Sequence, residues 1–480
     1  MEILTPDICV IGAGAGGLSV AAAAAVFGVP VVLIEKGRLG GECLYTGCVP
    51  SKALIAAAKR AHGIAEAEAF GVSAGPATVD FAKVRRRVHD VIAAIAPNDS
   101  KERFTGLGVR VIEAAARFKD RATVVAGDGT EIKARRFVIA TGSSPSLPPI
   151  PGLHAVPYLT NETVFALREP VAHLIIVGAG PIGSEMAQAF RRLGSAVTVV
   201  DMAGKILPRE DADVAAVVQR RLEAEGVRYR LGISVGGVTP GEAHAGRIRM
   251  TVRTANGAVE QIAASHLMIA AGRVPNIDGL GLDAAGVRVE NGRIAVDDVL
   301  GTTNPRVHVV GDVAGAHPFT HVAEHHAGVI LRQTLFRMRW TRPSAVVPWC
   351  TYTDPELARV GLSETDARAH GIVHRVYRFP FEDVDRARAD GETEGFAKLV
   401  TDPRGRLLGA AIVGADAGEL IAECVLAIEK RMKAADLSAA IHTYPTRSQI
   451  ARRAADQRRK ESLTPASRTW MRRLFSLRGG

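Results

Sequence analysis

The sequence predicts an α/β fold. Three observations predict it: a repeated glycine fingerprint, a matched spacing from each fingerprint to an acidic residue, and a length of 480 residues, which suits about three domains. Cys9-Val10-Ile11-Gly12-Ala13-Gly14-Ala15-Gly16-Gly17 opens the first unit, and Val31-Val32-Leu33-Ile34-Glu35 closes it. Ile175-Ile176-Val177-Gly178-Ala179-Gly180-Pro181-Ile182-Gly183 opens the second, closed by Val197-Thr198-Val199-Val200-Asp201. In both, 23 positions separate the first glycine from the acid. An apolar strand, a glycine turn, a helix, a second strand and a terminal acid make a Rossmann-like dinucleotide βαβ unit. Gly12, Gly14 and Gly17, and again Gly178, Gly180 and Gly183, allow the tight turn, the backbone approach to a pyrophosphate and close helix packing. The helix N-terminus that follows holds phosphates.

The remaining elements follow in chain order. Leu18 to Ile34 is the longest apolar stretch, but Gly28 and Pro30 interrupt it, so it reads as a buried helix, a turn and a strand rather than a membrane span. No basic leader or cleavage site precedes it, and a cytoplasmic location is expected. Gly40-Gly41-Glu42-Cys43-Leu44-Tyr45-Thr46-Gly47-Cys48-Val49-Pro50-Ser51-Lys52 comes next. Val49-Pro50-Ser51 reads as a helix start, and its partial positive charge favours a thiolate at Cys48. Two thiols five positions apart at a helix entrance can close a small, exchangeable disulfide. A structural bridge is disfavoured where thiols are kept reduced, and Cys9, Cys350 and Cys424 add no paired zinc-ligand spacing. No metal site is expected.

Val84, Val88, Val91, Ile92 and Ile95 give residues 81–104 a helical period, with Lys83 to Arg87 as a solvated face. Short β-rich runs lead to Phe137-Val138-Ile139-Ala140-Thr141-Gly142. Pro145, Pro148, Pro149 and Pro151 then mark a linker. Val307 to Val310 is strand-like and ends in Gly311-Asp312, and after Pro343 the pattern becomes mixed α+β to about Ala455. The formal charge of +10 is concentrated in residues 451–480, where nine Arg or Lys stand against Asp456 and Glu461. A near-neutral body argues against nucleic-acid binding. In the tail, Trp470, Met471, Leu474, Phe475 and Leu477 alternate with Arg468, Arg472, Arg473 and Arg478. This pattern is compatible with an amphipathic helix on an anionic membrane surface or acidic partner, with an arm on the dimer surface, or with disorder.

Taken together, the Cys43/Cys48 segment, both fingerprints, Ala140-Thr141-Gly142, Ala271-Gly272-Arg273-Val274-Pro275-Asn276 and Val310-Gly311-Asp312 resemble the flavin disulfide reductases, the family of lipoamide dehydrogenase, glutathione reductase and mercuric reductase. The resemblance covers Pro6 to about Ala454. It implies a discontinuous FAD-binding domain (1–149 and 277–339), an NAD-binding domain (150–276), an α+β dimerisation domain (340–455) and a basic tail (456–480) in a homodimer. It also implies that Gly12, Gly14, Gly17, Glu35, Lys52, Thr141, Gly142, Asp312 and Ala323 bind FAD, with Glu35 on the adenosine ribose and Asp312 on the ribityl chain. By the same resemblance Gly178, Gly180, Ile182, Gly183, Asp201 and Gly272 bind the nicotinamide nucleotide. Cys48 would be the thiolate against the flavin, Cys43 the interchange thiol, and Lys52 with Glu185 the buried pair near the flavin ring. Asp201 can accept hydrogen bonds from both ribose hydroxyls and would repel a 2′-phosphate. Met202-Ala203-Gly204 offers no arginine and Lys205 is the nearest cation, so NADH is expected over NADPH.

One motif departs from the thiol-using members, which carry His-x-His-Pro-Thr followed by a glutamate. Here the run is Ile441-His442-Thr443-Tyr444-Pro445-Thr446-Arg447-Ser448-Gln449, so Tyr444 replaces the base and Gln449 the glutamate. A tyrosine, with an ordinary pKa of about 10, is a poor base at neutral pH but can donate a hydrogen bond. Tyr444, together with Asp385-Arg386-Ala387 and Gly395-Phe396-Ala397-Lys398-Leu399-Val400, looks like the mercuric reductase branch, although residues 474–480 lack that enzyme's C-terminal cysteine pair. The expected reaction passes hydride from NADH through FAD to a Cys43–Cys48 disulfide and on to a small disulfide or thiophilic metal ion. The alternatives are an NAD-linked dihydrolipoyl dehydrogenase using His442 or solvent as base, and a redox-sensing flavoprotein that binds a partner through its basic tail.

Overall fold

The computed structural model describes residues 2–127, 129–241, 247–315, 317–336, 338 and 340–476. Its first unit is a five-stranded parallel sheet in the order Val307–Val309, Arg136–Ile139, Ile8–Ile11, Val31–Glu35, Arg110–Glu113. Both faces are buried, as an all-parallel sheet requires. Ile8 and Val10 pack with Leu18, Val20 and Ile330 of the helices Ala15–Val26 and Thr320–Thr334. Cys9 and Ile11 point the other way, against Phe118, Val124 and Ile132. The strand Val307–Val309 therefore returns to this sheet after the whole second unit has been made.

The second unit is a four-stranded parallel sheet, Arg228–Leu231, Ala196–Asp201, His173–Val177, His266–Ile269. Ser143–Pro145 and Arg273–Pro275, one entering this unit and one leaving it, pair antiparallel at the crossover. The third unit is a five-stranded antiparallel sheet, Pro348–Thr351, Glu356–Gly361, Leu407–Gly414, Phe396–Thr401, Arg375–Pro380. Helices Ala417–Glu429 and Gln449–Ser462 cover it. The fold is α/β with two Rossmann-like dinucleotide-binding domains and a C-terminal α+β domain.

Two local features differ from the sequence reading. Residues 81–104 are not one helix. Phe81–Ile95 gives way to a 3-10 turn, Ala96–Asp99, and then a new helix, Lys101–Gly106. Pro97 has no N–H to continue the ladder, and Ser100 caps the next helix by accepting from the Arg103 N–H at 3.2 Å. The helix Gln449–Ser462 also runs through residue 455, because Ile450, Ala451, Ala454 and Ala455 form one buried stripe. Among the described residues no helix is long and apolar enough to cross a membrane.

Candidate active site

The redox segment folds as two helices. Gly41–Tyr45 carries Cys43, and Cys48–Glu66 begins on Cys48 itself. Gly41 adopts φ +59°, and a Cβ there would lie 2.8 Å from the Cα of Gly14, so the cysteine turn rests directly on the first fingerprint. Both cysteines are free thiols, Cys48 exposed and Cys43 half-buried. The Thr320 hydroxyl donates to Cys43 Sγ at 3.2 Å and lies 3.7 Å from Cys48 Sγ. The Cys43 thiol hydrogen bond lowers the Cys48 pKa to about 6. Burial works against that shift, while Thr320 and the Lys52 charge help it. The same hydrogen bond, reinforced by burial, pushes Cys43 far above the ordinary thiol range. At neutral pH the pair is thus one thiolate, Cys48, solvated by one thiol, Cys43.

Lys52, one turn into the helix, places Nζ 2.8 Å from Glu185 Oε2 of the second unit's helix Pro181–Arg192. Glu185 is buried, and its other oxygen accepts from the Tyr352 N–H at 2.9 Å. The Lys52 ammonium lies 4.3 Å from the centre of the Tyr352 ring. All three units therefore meet at this ion pair.

The two fingerprints fit dinucleotides. In the first, a Cβ on Gly12 would lie 2.4 Å from Ala140 O, and one on Gly17 only 1.9 Å from Gly12 O. The Cβ position of Gly14 is open. The second repeats this, with Gly178 against Ala270 O, Gly183 against Gly178 O, and Gly180 open. A close turn with one uncovered glycine at the helix entrance is the cradle that a pyrophosphate fills. The acids match as well. Glu35 accepts from the Ala13 and Gly37 N–H groups, both at 2.6 Å, and Asp201 from the Ala179 and Ala203 N–H groups at 2.6 and 2.7 Å. Gly142 is open at φ +70°. Gly272, at φ +121°, has only Ser146 in reach of its Cβ position. Ile182 lies in the first turn of the second fingerprint helix. The buried Ala323 methyl faces Gly16 and Gly311. Thr141 Oγ1 donates to Asn276 O at 2.6 Å and Asn276 Nδ2 returns a bond to Thr141 O, so this hydroxyl ties two motifs together.

Sequence reasoning missed a network beside the thiols. Arg273 grips the Glu42 carboxylate with both Nη atoms, 2.7 Å for Nη1–Oε1, and its Nε donates to Ser143 Oγ at 2.7 Å. Ser143 Oγ in turn donates to Asp312 Oδ2 at 2.6 Å, and Asn161 Nδ2 reaches Glu42 Oε1 at 2.7 Å. Burial raises the Glu42 pKa and Arg273 opposes that shift. The only signal in the sequence was the position of Glu42, next to a reactive cysteine. Thr320 lies three residues before Ala323, and no pattern in the sequence signals its contact with the thiols.

Within one chain the side chains of Tyr444 and His442 hydrogen-bond to Asp385 and Glu423, whereas both thiols meet Thr320. Tyr444 is 66% exposed and its hydroxyl donates to Asp385 Oδ2 at 3.1 Å, a contact that raises its pKa. His442 Nε2 lies 2.8 Å from Glu423 Oε1. Gln449 is buried and reaches Thr443 O. Cys424 is fully buried in the third unit's core, and Cys350 bonds its own strand through Thr351 O.

A sheet pair with two dinucleotide cradles and a thiol–thiolate pair at their junction defines a class. The chain belongs to the pyridine nucleotide-disulphide oxidoreductases, whose family model spans residues 6–327, and the family's dimerisation domain matches residues 347–455. It is 33% identical over 456 residues to a mercuric reductase of Streptomyces lividans, covering 94% of this chain and 95% of the relative. It is 36% identical over 465 residues to a dihydrolipoyl dehydrogenase of Haloferax volcanii, covering 94% and 95%. Among solved structures it is similar to the HOCl-induced flavoprotein disulfide reductase RclA of Escherichia coli in its Cu(II) complex, with TM-score 0.84, 28% identity and coverage of 94% and 99%. LpdA of Mycobacterium tuberculosis gives TM-score 0.84 at 27% identity, covering 95% and 99%. The protein is thus a flavin-dependent oxidoreductase that uses FAD and NAD(P)H, with a dimerisation domain as its third unit.

Proposed function

We propose that this enzyme is an NADH-dependent reductase of mercuric reductase-like type, delivering electrons through Cys43 and Cys48 to a thiophilic metal ion or a small disulfide. FAD takes the segments 1–149 and 277–339, the nicotinamide nucleotide 150–276, and the subunits pair through 340–455. Bound together, NADH and FAD supply a hydride donor and a two-electron carrier. The protein's own residues do the rest. Glu35, Asp312 and the open Gly14 hold the flavin nucleotide, Asp201 and Gly180 the nicotinamide nucleotide, and the Lys52–Glu185 pair steadies charge where hydride arrives. Asp201 and the absence of any cation at Met202-Ala203-Gly204 favour an unphosphorylated ribose. Lys205, the nearest cation, turns to the Glu210 carbonyl.

The observation that carries the choice of acceptor is the Tyr444–Asp385 hydrogen bond. It raises the Tyr444 pKa, so the residue stays a phenol and not a basic phenolate, while Cys43 keeps its proton. Turnover of a disulfide needs that proton removed from Cys43 and delivered to a leaving thiolate. A soft dication instead displaces it on binding sulfur. The Cys48 thiolate and the Cys43 thiol then become the disulfide, two electrons reduce the ion, and the one proton, from Cys43, leaves to solvent. Dihydrolipoyl dehydrogenase is the second reading, favoured by the His442–Glu423 contact. Steady-state NADH oxidation with Hg(II), with lipoamide and with neither separates them. Faster turnover with lipoamide than with Hg(II) overturns the first reading. Reduction by NADH that neither acceptor reoxidises identifies a redox sensor instead.

A further inference from the structure

We propose that the C-terminal helix Pro465–Leu474 is an interfacial anchor that docks the enzyme on an anionic lipid surface. The helix is specified locally: Thr464 accepts from the Ser467 N–H at 3.2 Å as its cap, and Pro465 takes the first helical position. It buries none of its residues on the body of the protein. Trp470 is 61%, Leu474 55% and Phe475 63% exposed. At about 100° per residue, Ala466, Trp470, Leu474 and Met471 share one face, while Arg468, Thr469, Arg472 and Arg473 share the opposite one. Arg468 and Arg473 flank the apolar face on its two sides.

Charge complementarity selects the occupant. Residues 462–480 carry Arg468, Arg472, Arg473 and Arg478 and no acid; Arg478 and Leu477 lie outside the described residues. The helix before it adds Arg453, Arg459 and Lys460 on its exposed side. A short helix with an aromatic–aliphatic face edged by arginines lies in the plane of a headgroup layer, its rings in the acyl boundary and its guanidinium groups on the phosphates. A narrow acidic groove on a protein would cover one face and leave the arginines of the other idle. This role is independent of the redox reading.

The test is sedimentation of the full-length FAD-loaded protein with vesicles of phosphatidylcholine containing about 30 mol% phosphatidylglycerol, beside pure phosphatidylcholine. Binding is expected to the first, with a blue shift in emission that Trp470→Ser removes, and loss in high salt. Arg468→Gln, Arg472→Gln and Arg473→Gln together are expected to weaken binding at least about tenfold, with NADH oxidation unchanged. Equal binding to neutral vesicles, no binding, or a triple variant that sediments like wild type overturns the proposal. So does dissociation of the triple variant to monomers, which makes the helix a subunit contact. Polyglutamate binding as tight as vesicle binding also overturns it, because the partner is then an acidic polypeptide.

Discussion

Cys48 is a thiolate because its neighbours solvate the charged form. In the reduced protein its ultraviolet thiolate absorbance should titrate near pH 6 and vanish in Cys48→Ser. The folded value lies below that of an ordinary thiol. The thiolate therefore stabilises the reduced fold fully at pH values above the ordinary range, and this contribution is lost as pH falls through about 6. Thermal unfolding of reduced wild type against Cys48→Ser, from pH 9 to pH 5, checks the sign. A midpoint near that of a free thiol would show that the Cys43 and Thr320 contacts do not hold in solution. Asp201 is the second residue with a direct readout. Its replacement by Ala should weaken NADH use by the worth of a charged hydrogen bond, about 1.5–3 kcal/mol, and narrow the gap to NADPH. A tenfold NADPH preference in the wild type would contradict that reading.

Among elements, the short helix Gly41–Tyr45 depends most on distant support. Five residues cannot sustain a helix alone, and this one is pinned by Arg273 from the crossover strand and by Asn161, which precedes the strand His173–Val177. Glu42→Gln should cost about 1.5–3 kcal/mol in denaturant unfolding, because a charge-assisted pair becomes a neutral one and leaves Arg273 half-buried. It should also slow dithiol exchange at Cys43, while Asn161→Ala, which keeps the ion pair, should do less. Unchanged exchange kinetics in Glu42→Gln would make the pair purely structural.

For the whole molecule, the third unit is locked to the second through Lys398, only 2% exposed. Its Nζ lies 2.8 Å from Asp211 Oδ2, 3.2 Å from Asp213 Oδ2 and 2.7 Å from Glu364 Oε2. Burial opposes ionisation of Asp211, yet Lys398 and Thr365 hold its carboxyl well below the usual range. Lys398→Met should destabilise by about 3–5 kcal/mol, since the carboxylates around it, Asp211 above all, lose a counter-charge, although Arg378 still pairs Asp213 and Arg368 still pairs Glu364. A loss under 1 kcal/mol by calorimetry would show that they simply protonate. Tyr444→His with Gln449→Glu should raise dihydrolipoamide oxidation, by up to the 10²–10⁴-fold that a positioned base contributes (order of magnitude). Flavin reduction by NADH should stay unchanged and Hg(II) turnover should fall. Efficient wild-type lipoamide turnover that is lost in Tyr444→Phe would make Tyr444 itself the acid–base residue.

The sequence by itself determined the two nucleotide-binding units and the thiol pair. Glycine turns, strand runs and the acid 23 residues on are short-range patterns, fixed by backbone sterics within one βαβ unit. The helix start at Cys48 was legible for the same reason. The break at Pro97 and Ser100 was visible as residues, but the apolar period running through it hid the second helix. Tertiary structure alone decided the contacts that tune the thiols. Thr320 meets Cys43 across 277 residues and Arg273 meets Glu42 across 231. Lys398 meets Asp211 across 187. Such pairs leave no period and no spacing in the chain. They form only when the fold brings distant segments together, and they are selected because a buried charge or polar group left unpaired is costly.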